Sequence, residues 1–225
     1  MKHRWKRVRG DVIGGATAAL VALPLALAFG IASGAGGVAG LYAAIFGGLT
    51  AALFGGCGVQ ITGPTGAMTA VLVSIVHQHG VSGLFLAGVI ARLMHLRCLK
   101  RIPESLFGII TGLVINELLI HSPQVVRHLP FGVPQLTLAQ MPWANITQLV
   151  RPAITICLLG SISALLSAEV TDNMLGTQHN SNRELIGQGL GNIVSSLIGG
   201  IPVSVAVARS GVNVYSGGRT RLSSI

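Results

Sequence analysis

Charged residues are scarce in this sequence. Only 9% of its 225 residues are Asp, Glu, Lys or Arg, whereas about 25% is usual for a soluble globular domain. The mean hydropathy is +0.71, and 51% of the residues are hydrophobic. This composition excludes an ordinary soluble domain and predicts an all-α polytopic protein that crosses the membrane several times.

Features of enzymes and metal proteins are also missing. The three cysteines, Cys57, Cys98 and Cys157, have no paired spacing, so we expect free thiols and no metal site. The Gly63–Gly66 segment lacks the lysine of a Walker loop, and the sequence has neither a zinc-protease helix motif nor a nucleophile elbow. We therefore expect a protein that is not an enzyme and binds no cofactor.

Basic residues outnumber acidic ones by fifteen to six, which gives a formal net charge of +9. They bunch at the ends of apolar stretches instead of forming a stripe on a soluble face, so nucleic acid is not an expected partner. The bunching follows the positive-inside rule and predicts a cytoplasmic N-terminus in a protein embedded in the bilayer of the cell (inner or plasma) membrane. The two clusters consist of Lys2, Arg4, Lys6, Arg7, Arg9, Arg97, Lys100 and Arg101.

The apolar stretches predict about eight membrane crossings. The first covers residues 11–34 and carries Pro24 in its middle, where we expect a kink. We expect His77–Gly80 to form an interfacial loop and residues 121–151 to form an extracytoplasmic loop, because four prolines interrupt the latter. The other predicted crossings are 38–54, 59–76, 81–96, 102–120, 152–174, 184–199 and 201–217.

Two of these crossings are interrupted. Residues 59–71 carry Gly63 and Pro64 within apolar sequence, which predicts an extended segment, Pro64 at the first helical position and a helix from near Thr65. The N-terminus of a buried helix offers unpaired N–H groups and a positive dipole end, which suit an anion. Residues 201–215 repeat this pattern, and such paired interruptions are the best sequence indication of a transporter site.

These interrupted segments, with the sequence around them, resemble the SulP family of anion transporters. The resemblance implies part of a 7+7 inverted-repeat fold with two half-helices, divided into core and gate domains that move past each other like an elevator. It also implies a small inorganic anion as substrate, sulfate or bicarbonate, and a homodimer if gate spans are supplied. The matching text lies at 11–15, 22–29, 39–42, 60–67, 179–189 and 216–220.

The resemblance places the anion between the starts of the two half-helices, with support from the first span. The residues it implies for binding are Thr65, Gly66, Ala67, Val205, Ala206, Val207, Phe29 and Gln60.

A coupling ion, Na⁺ or H⁺, would use Ser163 and Ser167, because Ser163 stands where the family often has an acidic residue. Glu169 lies about 120° away around the helix and is a poor substitute. Arg209 leaves two readings open: a cation that neutralises the anion, or an interfacial anchor.

The resemblance also implies a division of the chain into core and gate parts. Spans five, six and eleven to fourteen of the family are expected to be absent. The predicted parts are the N-terminus 1–10, first-repeat core spans 11–101 with half-helix 59–76, a residual gate-type span 102–120, the loop 121–151, and second-repeat core spans 152–225 with half-helix 201–217. Two functions follow. The chain is a secondary transporter of small oxyanions, or a non-transporting remnant that assembles with a full-length transporter.

Overall fold

The computed structural model describes residues 2–98 and 146–225, together with Leu136, Pro142 and Ala144. Two very short strands, β1 (Thr62–Gly63) and β2 (Ser204–Val205), lie among the helices. A π-helical segment, Ala43–Gly47, and a final 3₁₀ turn, Arg221–Ser223, complete the described elements. The helices are α1 (Lys2–Ala32), α2 (Gly37–Tyr42), α3 (Gly48–Phe54), α4 (Gly66–Cys98), α5 (Ile146–Leu175), α6 (Ser181–Leu197) and α7 (Val207–Tyr215).

Within the described residues, three helical stretches are long and apolar enough to cross a membrane: Trp5–Ala32, Gly37–Phe54 and Ile146–Leu175. The first includes most of the basic N-terminus, because α1 begins at Lys2 and not after residue 10. No helix-breaking residue precedes Gly10, so the basic residues extend the same helix. Pro24 lies within α1, which runs on to Ala32.

The second span consists of α2, the π-helical segment and α3, and it packs closely on α1. A Cβ atom at Gly40 would lie 1.9 Å from the carbonyl oxygen of Ala26, and one at Gly30 would lie 2.5 Å from that of Gly36. The turn between the spans contains Gly34 and Gly36 at φ 82° and 93°, a region that favours glycine. The glycines therefore set the distance between the first two spans.

Both interrupted segments have the predicted extended-then-helical form. Strands β1 and β2 pair antiparallel, with Thr62 opposite Val205 and Gly63 opposite Ser204. The expected position of Pro64 is wrong, because α4 begins at Gly66. Thr65 stands before the helix instead, where its Oγ1 atom accepts a hydrogen bond from the N–H group of Met68 at 3.4 Å. A hydroxyl can satisfy a free helix N–H group, which proline cannot do.

Parts of two predicted loops are helical among the described residues. His77–His79 belong to α4, and only Gly80 departs from helical geometry, at φ 68° and ψ 179°. The end of the predicted loop 121–151 is also wrong, because α5 begins at Ile146. Pro152 lies inside α5, where the loss of one backbone hydrogen bond is tolerated in a membrane helix. The rest of that loop, apart from the three single residues, and the predicted span 102–120 lie outside the described residues.

The main apolar core joins α4 to α5 on one side of the strand pair. It contains Met68, Leu72 and Ile75 of α4 and Ile156 of α5, each at most 2% exposed. On the other side α3 packs against α6 through glycine: a Cβ atom at Gly187 would lie 2.4 Å from Gly55. The strand pair is thus held between two well-packed layers.

Candidate anion-binding site

The strand pair brings the starts of α4 and α7 close together. Each helix begins within three residues of its strand, and the antiparallel pairing makes the two helices run away from the same place. The first N–H groups of an α-helix have no partner within the helix, and its N-terminus carries about half a positive charge. The strand pair therefore concentrates free donors and positive potential at one point.

The predicted residues of the first half-helix lie at the place where the starts of α4 and α7 come together. Gly66 and Ala67 are exposed, and Thr65 is half-buried. The ring of Phe29 in α1 lies beside them, since a Cβ atom at Gly66 would be 3.4 Å from its Cε1 atom. The structure thus brings Phe29 to the start of α4, as the resemblance implies.

The three predicted residues of the second half-helix differ in exposure. Val205 is 3% exposed and belongs to β2, so its side chain is packed inside the protein. Ala206 is the N-cap residue of α7, and Val207 is 41% exposed at the first helical position. Ala206 and Val207 therefore form the α7 side of the place where the two helix starts come together.

A buried polar cluster connects α5 to both half-helices. Gln60 donates through Nε2 to the carbonyl oxygen of Ala164 at 2.7 Å, and its Oε1 atom has no partner among the described residues. Ser167 donates to Ser210 at 3.3 Å, and Ser210 in turn accepts the N–H group of Ile61 at 3.1 Å.

Ser163 lies half-buried, one turn before Ser167 on α5. In the described part of the chain, no group of three or more His, Cys, Asp or Glu side chains could hold a metal ion. These serines offer hydroxyl oxygens without charge, and their coupling role stays a prediction.

Arg209 of α7 is the charged residue of this region. It is 2% exposed, and its Nη2 atom donates to the carbonyl oxygen of Pro64 at 3.0 Å. Its Nε and Nη1 atoms have no partner among the described residues. A Cβ atom at Gly63 would lie 2.7 Å from Nη1, so only glycine leaves room for the guanidinium group. The reading of Arg209 as an interfacial anchor is wrong, because its side chain is buried beside the start of α4.

Sequence reasoning missed the side chains of α6 that hold the extended segments. Gln188 donates through Nε2 to Thr62 of β1 at 2.8 Å and to Glu184 at 3.0 Å. The other carboxylate oxygen of Glu184 accepts the N–H groups of Gly56 and Cys57 at 2.8 and 2.9 Å. The sequence did carry a sign of this support. Glu184, Gln188 and Asn192 lie at i, i+4 and i+8 of a Gly-rich helix, so their polar side chains share one face.

The end of α1 that carries the basic residues is fixed to the segment after α7. Asp11 accepts the N–H groups of Arg219 and Thr220 at 2.7 and 2.9 Å and the Thr220 hydroxyl at 2.5 Å. Arg221 then donates to carbonyl oxygens at the end of α3 and directly after it, at 3.0 Å for Leu53 and 2.7 Å for Gly55. Three separate segments are thereby joined at one end of the molecule.

Comparison with known proteins agrees with this arrangement. The chain is 31% identical to the bicarbonate transporter BicA of Picosynechococcus sp. in a gapped alignment 320 positions long, which covers 100% of this chain and 56% of that protein. It is 28% identical to the putative sulfate transporter YvdB of Bacillus subtilis, covering 99% of this chain and 59% of that protein. The chain thus spans little more than half the length of these curated relatives.

Two solved structures share the fold. The transmembrane domain of a cyanobacterium bicarbonate transporter BicA has a TM-score of 0.78 and 29% identity, covering 97% of this chain and 80% of that one. The structure of SLC26A9 has a TM-score of 0.72 at 14% identity, covering 97% of this chain and 52% of that one, which supports the fold alone.

A family model described as the sulfate permease family matches residues 8–94 and 80–225, nearly the whole chain. The predicted resemblance is confirmed, and the two linked half-helices lie within the matched residues. The chain belongs to the sulfate permease family of membrane anion transporters.

Proposed function

We propose that this chain binds a small inorganic oxyanion, sulfate or bicarbonate, between the starts of α4 and α7 and carries it across the cell membrane as a secondary transporter. The single observation that carries the proposal is the buried guanidinium group of Arg209, which makes one hydrogen bond and keeps two donor atoms unpaired. A bound anion would supply the missing partner.

The energetics favour an anion at this position. An arginine side chain stays charged in proteins, and a buried charge without a partner is strongly unfavourable. Two helix N-termini contribute about half a positive charge each, so with Arg209 the site offers roughly two positive charges. No carboxylate is hydrogen-bonded to Arg209 among the described residues. This charge fits sulfate as well as bicarbonate, the substrates in the names of the two relatives.

In this proposal the backbone N–H groups at Gly66, Ala67 and Val207 bind the anion, and the Thr65 hydroxyl remains the cap of α4. Ser163 and Ser167 are the candidate ligands of a coupling Na⁺ or the path of a coupling H⁺. The N-terminus would lie in the cytoplasm, as the positive-inside rule predicts from its basic residues, and gate spans from a second polypeptide would complete a dimer. The alternative of a non-transporting assembly partner receives no specific support.

A binding measurement tests the site separately from transport. The purified chain should bind radiolabelled sulfate or bicarbonate saturably in detergent, and Arg209→Gln should weaken binding at least tenfold, because a charge-assisted hydrogen bond is lost. Arg209→Lys, which keeps the charge, should retain part of the affinity. Arg151→Gln, at an exposed position on α5 outside the site, is the matched control.

Uptake into proteoliposomes then tests transport by the same proteins. The proposal is wrong if the wild-type chain binds neither anion, or if folded Arg209→Gln binds both as tightly as the wild type. Thermal unfolding of each variant shows that the compared proteins are folded.

A further inference from the structure

One end of the molecule presents aromatic and basic side chains together. Trp5 is 75% exposed at the start of α1, and Tyr215 is 86% exposed at the end of α7. Four basic side chains at the same end are also exposed. We call this surface the basic collar; it consists of Trp5, Lys6, Arg7, Arg9, Tyr215 and Arg219.

The fold, and not the sequence alone, assembles the basic collar. Arg219 lies far from the N-terminus in the chain, but its N–H group donates to Asp11 at 2.7 Å. The backbones also meet nearby, since a Cβ atom at Gly10 would be 2.7 Å from the carbonyl oxygen of Gly217. Arg219 therefore adds its charge to those of Lys6, Arg7 and Arg9.

The length of α1 places the basic collar at the depth of lipid headgroups. The apolar part of α1, Val12–Ala32, is about 32 Å long at ~1.5 Å per residue, which matches the hydrocarbon core of a bilayer. Trp5 then lies about 10 Å beyond the edge of that core, within the headgroup layer. Tryptophan and tyrosine are enriched at this depth, where one end of the ring is apolar and the other polar.

The positive charges of the basic collar are not neutralised within the described residues. The salt-bridge contact that these residues contain joins Asp172 of α5 to His179 in the loop before α6, and it is an ion pair when His179 is protonated. Asp11 is the acidic residue beside the collar, and both of its oxygens are occupied by Arg219 and Thr220 backbone and hydroxyl groups. An external anion at headgroup depth would therefore meet several cationic side chains.

We infer that the basic collar binds the headgroups of anionic phospholipids. The guanidinium and ammonium groups pair with the lipid phosphates, while Trp5 and Tyr215 lie between headgroup and acyl chain. This interaction is separate from the anion site, because Arg209 is buried and takes no part in it. It selects lipid by headgroup charge.

Lipid selectivity can be measured with spin-labelled lipids. We would reconstitute the full chain in phosphatidylcholine bilayers and compare how spin-labelled phosphatidylglycerol and phosphatidylcholine associate with it. The wild type should prefer phosphatidylglycerol several-fold, and the preference should fall at high salt because exposed charges are screened. The combined variant K6Q/R7Q/R9Q/R219Q should lose the preference.

A single-charge comparison locates the effect. Arg219→Gln should lower the preference by up to about fivefold, the effect of one basic residue near an anionic surface. Arg151→Gln removes the same charge from an exposed position near Leu149, which packs in the α4–α5 core away from the collar, and should leave the preference unchanged. The inference is overturned if the combined variant keeps the wild-type preference or if Arg151→Gln lowers it as much as Arg219→Gln.

Discussion

The side-chain amide of Asn192 forms two hydrogen bonds with the backbone of Val203. Its Nδ2 atom donates to the Val203 carbonyl oxygen at 2.9 Å, and its Oδ1 atom accepts the Val203 N–H group at 2.7 Å. A neighbouring strand would supply the same pair of bonds. Asn192 thus extends the very short β2 pairing by one residue, in a region where water is not available to replace the bonds.

Replacing Asn192 should destabilise the second extended segment. Asn192→Ala leaves a buried N–H and a buried carbonyl group unpaired, which we expect to cost about 2–4 kcal/mol. Thermal unfolding in detergent and sulfate binding should both show the loss. Asn180→Ala removes the exposed N-cap bond of α6 to Arg183 and should cost only about 1 kcal/mol. Equal effects of the two substitutions would contradict the assigned role of Asn192.

Glu184 should control access to Cys57. In Glu184→Gln the new NH₂ group faces either the N–H groups of Gly56 and Cys57 or the Nε2 donor of Gln188, so donors oppose each other and this turn should loosen. Cys57 is 7% exposed and burial raises the pKa of its thiol, so it should react slowly with maleimide at neutral pH.

The expected result is faster labelling of Cys57 in Glu184→Gln, measured in a Cys98→Ser/Cys157→Ser background. Because the thiolate is the reactive form, labelling of both proteins should accelerate as pH rises. Glu169→Gln changes an exposed acid on α5 and serves as the control. Unchanged labelling in Glu184→Gln would show that its carboxylate does not hold the turn.

Asp11 should protect the segment after α7 from proteolysis. Asp11→Ala removes both acceptor oxygens, so the bonds to the Arg219 and Thr220 N–H groups and to the Thr220 hydroxyl are lost. Trypsin should then cut after Arg219 several-fold faster than in the wild type. Thr17→Val removes a hydroxyl that donates to Ile13 within α1, and it should leave the cutting rate unchanged. A wild-type rate in Asp11→Ala would refute the link.

Two glycine substitutions should act in opposite directions. Gly40→Ala puts a methyl group 1.9 Å from the Ala26 carbonyl oxygen, so α1 and α2 must separate, at a cost of about 2 kcal/mol or more. Gly211→Ala in α7 meets no atom within 4 Å and should stabilise by about 0.5–1 kcal/mol through helix propensity. Thermal unfolding of both variants tests whether Gly40→Ala is the less stable of the two. If Gly211→Ala were the less stable, the close packing of α1 and α2 would be excluded.

Local chemistry made part of this fold predictable. Gly63 and Pro64 interrupt an apolar stretch, so the extended segment and the following helix could be located from sequence. The exact helix start could not, because the choice between Pro64 and Thr65 depends on which residue can accept the N–H group of Met68. Likewise, His79 and Gly80 both look like loop residues, and only the backbone shows that the break is confined to Gly80.

Long-range contacts explain what the sequence could not predict at the site. Arg209 has the same local sequence whether it faces solvent or the protein interior, and its burial depends on the absence of a side chain at Gly63. The bond from Gln188 to Thr62 joins residues that are distant in the chain. Apolar periodicity carries no information about such pairs, so the support of the strands by α6 was missed.

The strand pair has a mechanical consequence for the site. Thr62 pairs with Val205 and Gly63 with Ser204, and Arg209 of α7 is hydrogen-bonded to Pro64 just before α4. The two half-helices therefore cannot move apart without breaking buried backbone hydrogen bonds. If the chain carries an anion as proposed, both half-helices would move together as one rigid body, and the spacing of the anion's donors would stay constant during the displacement.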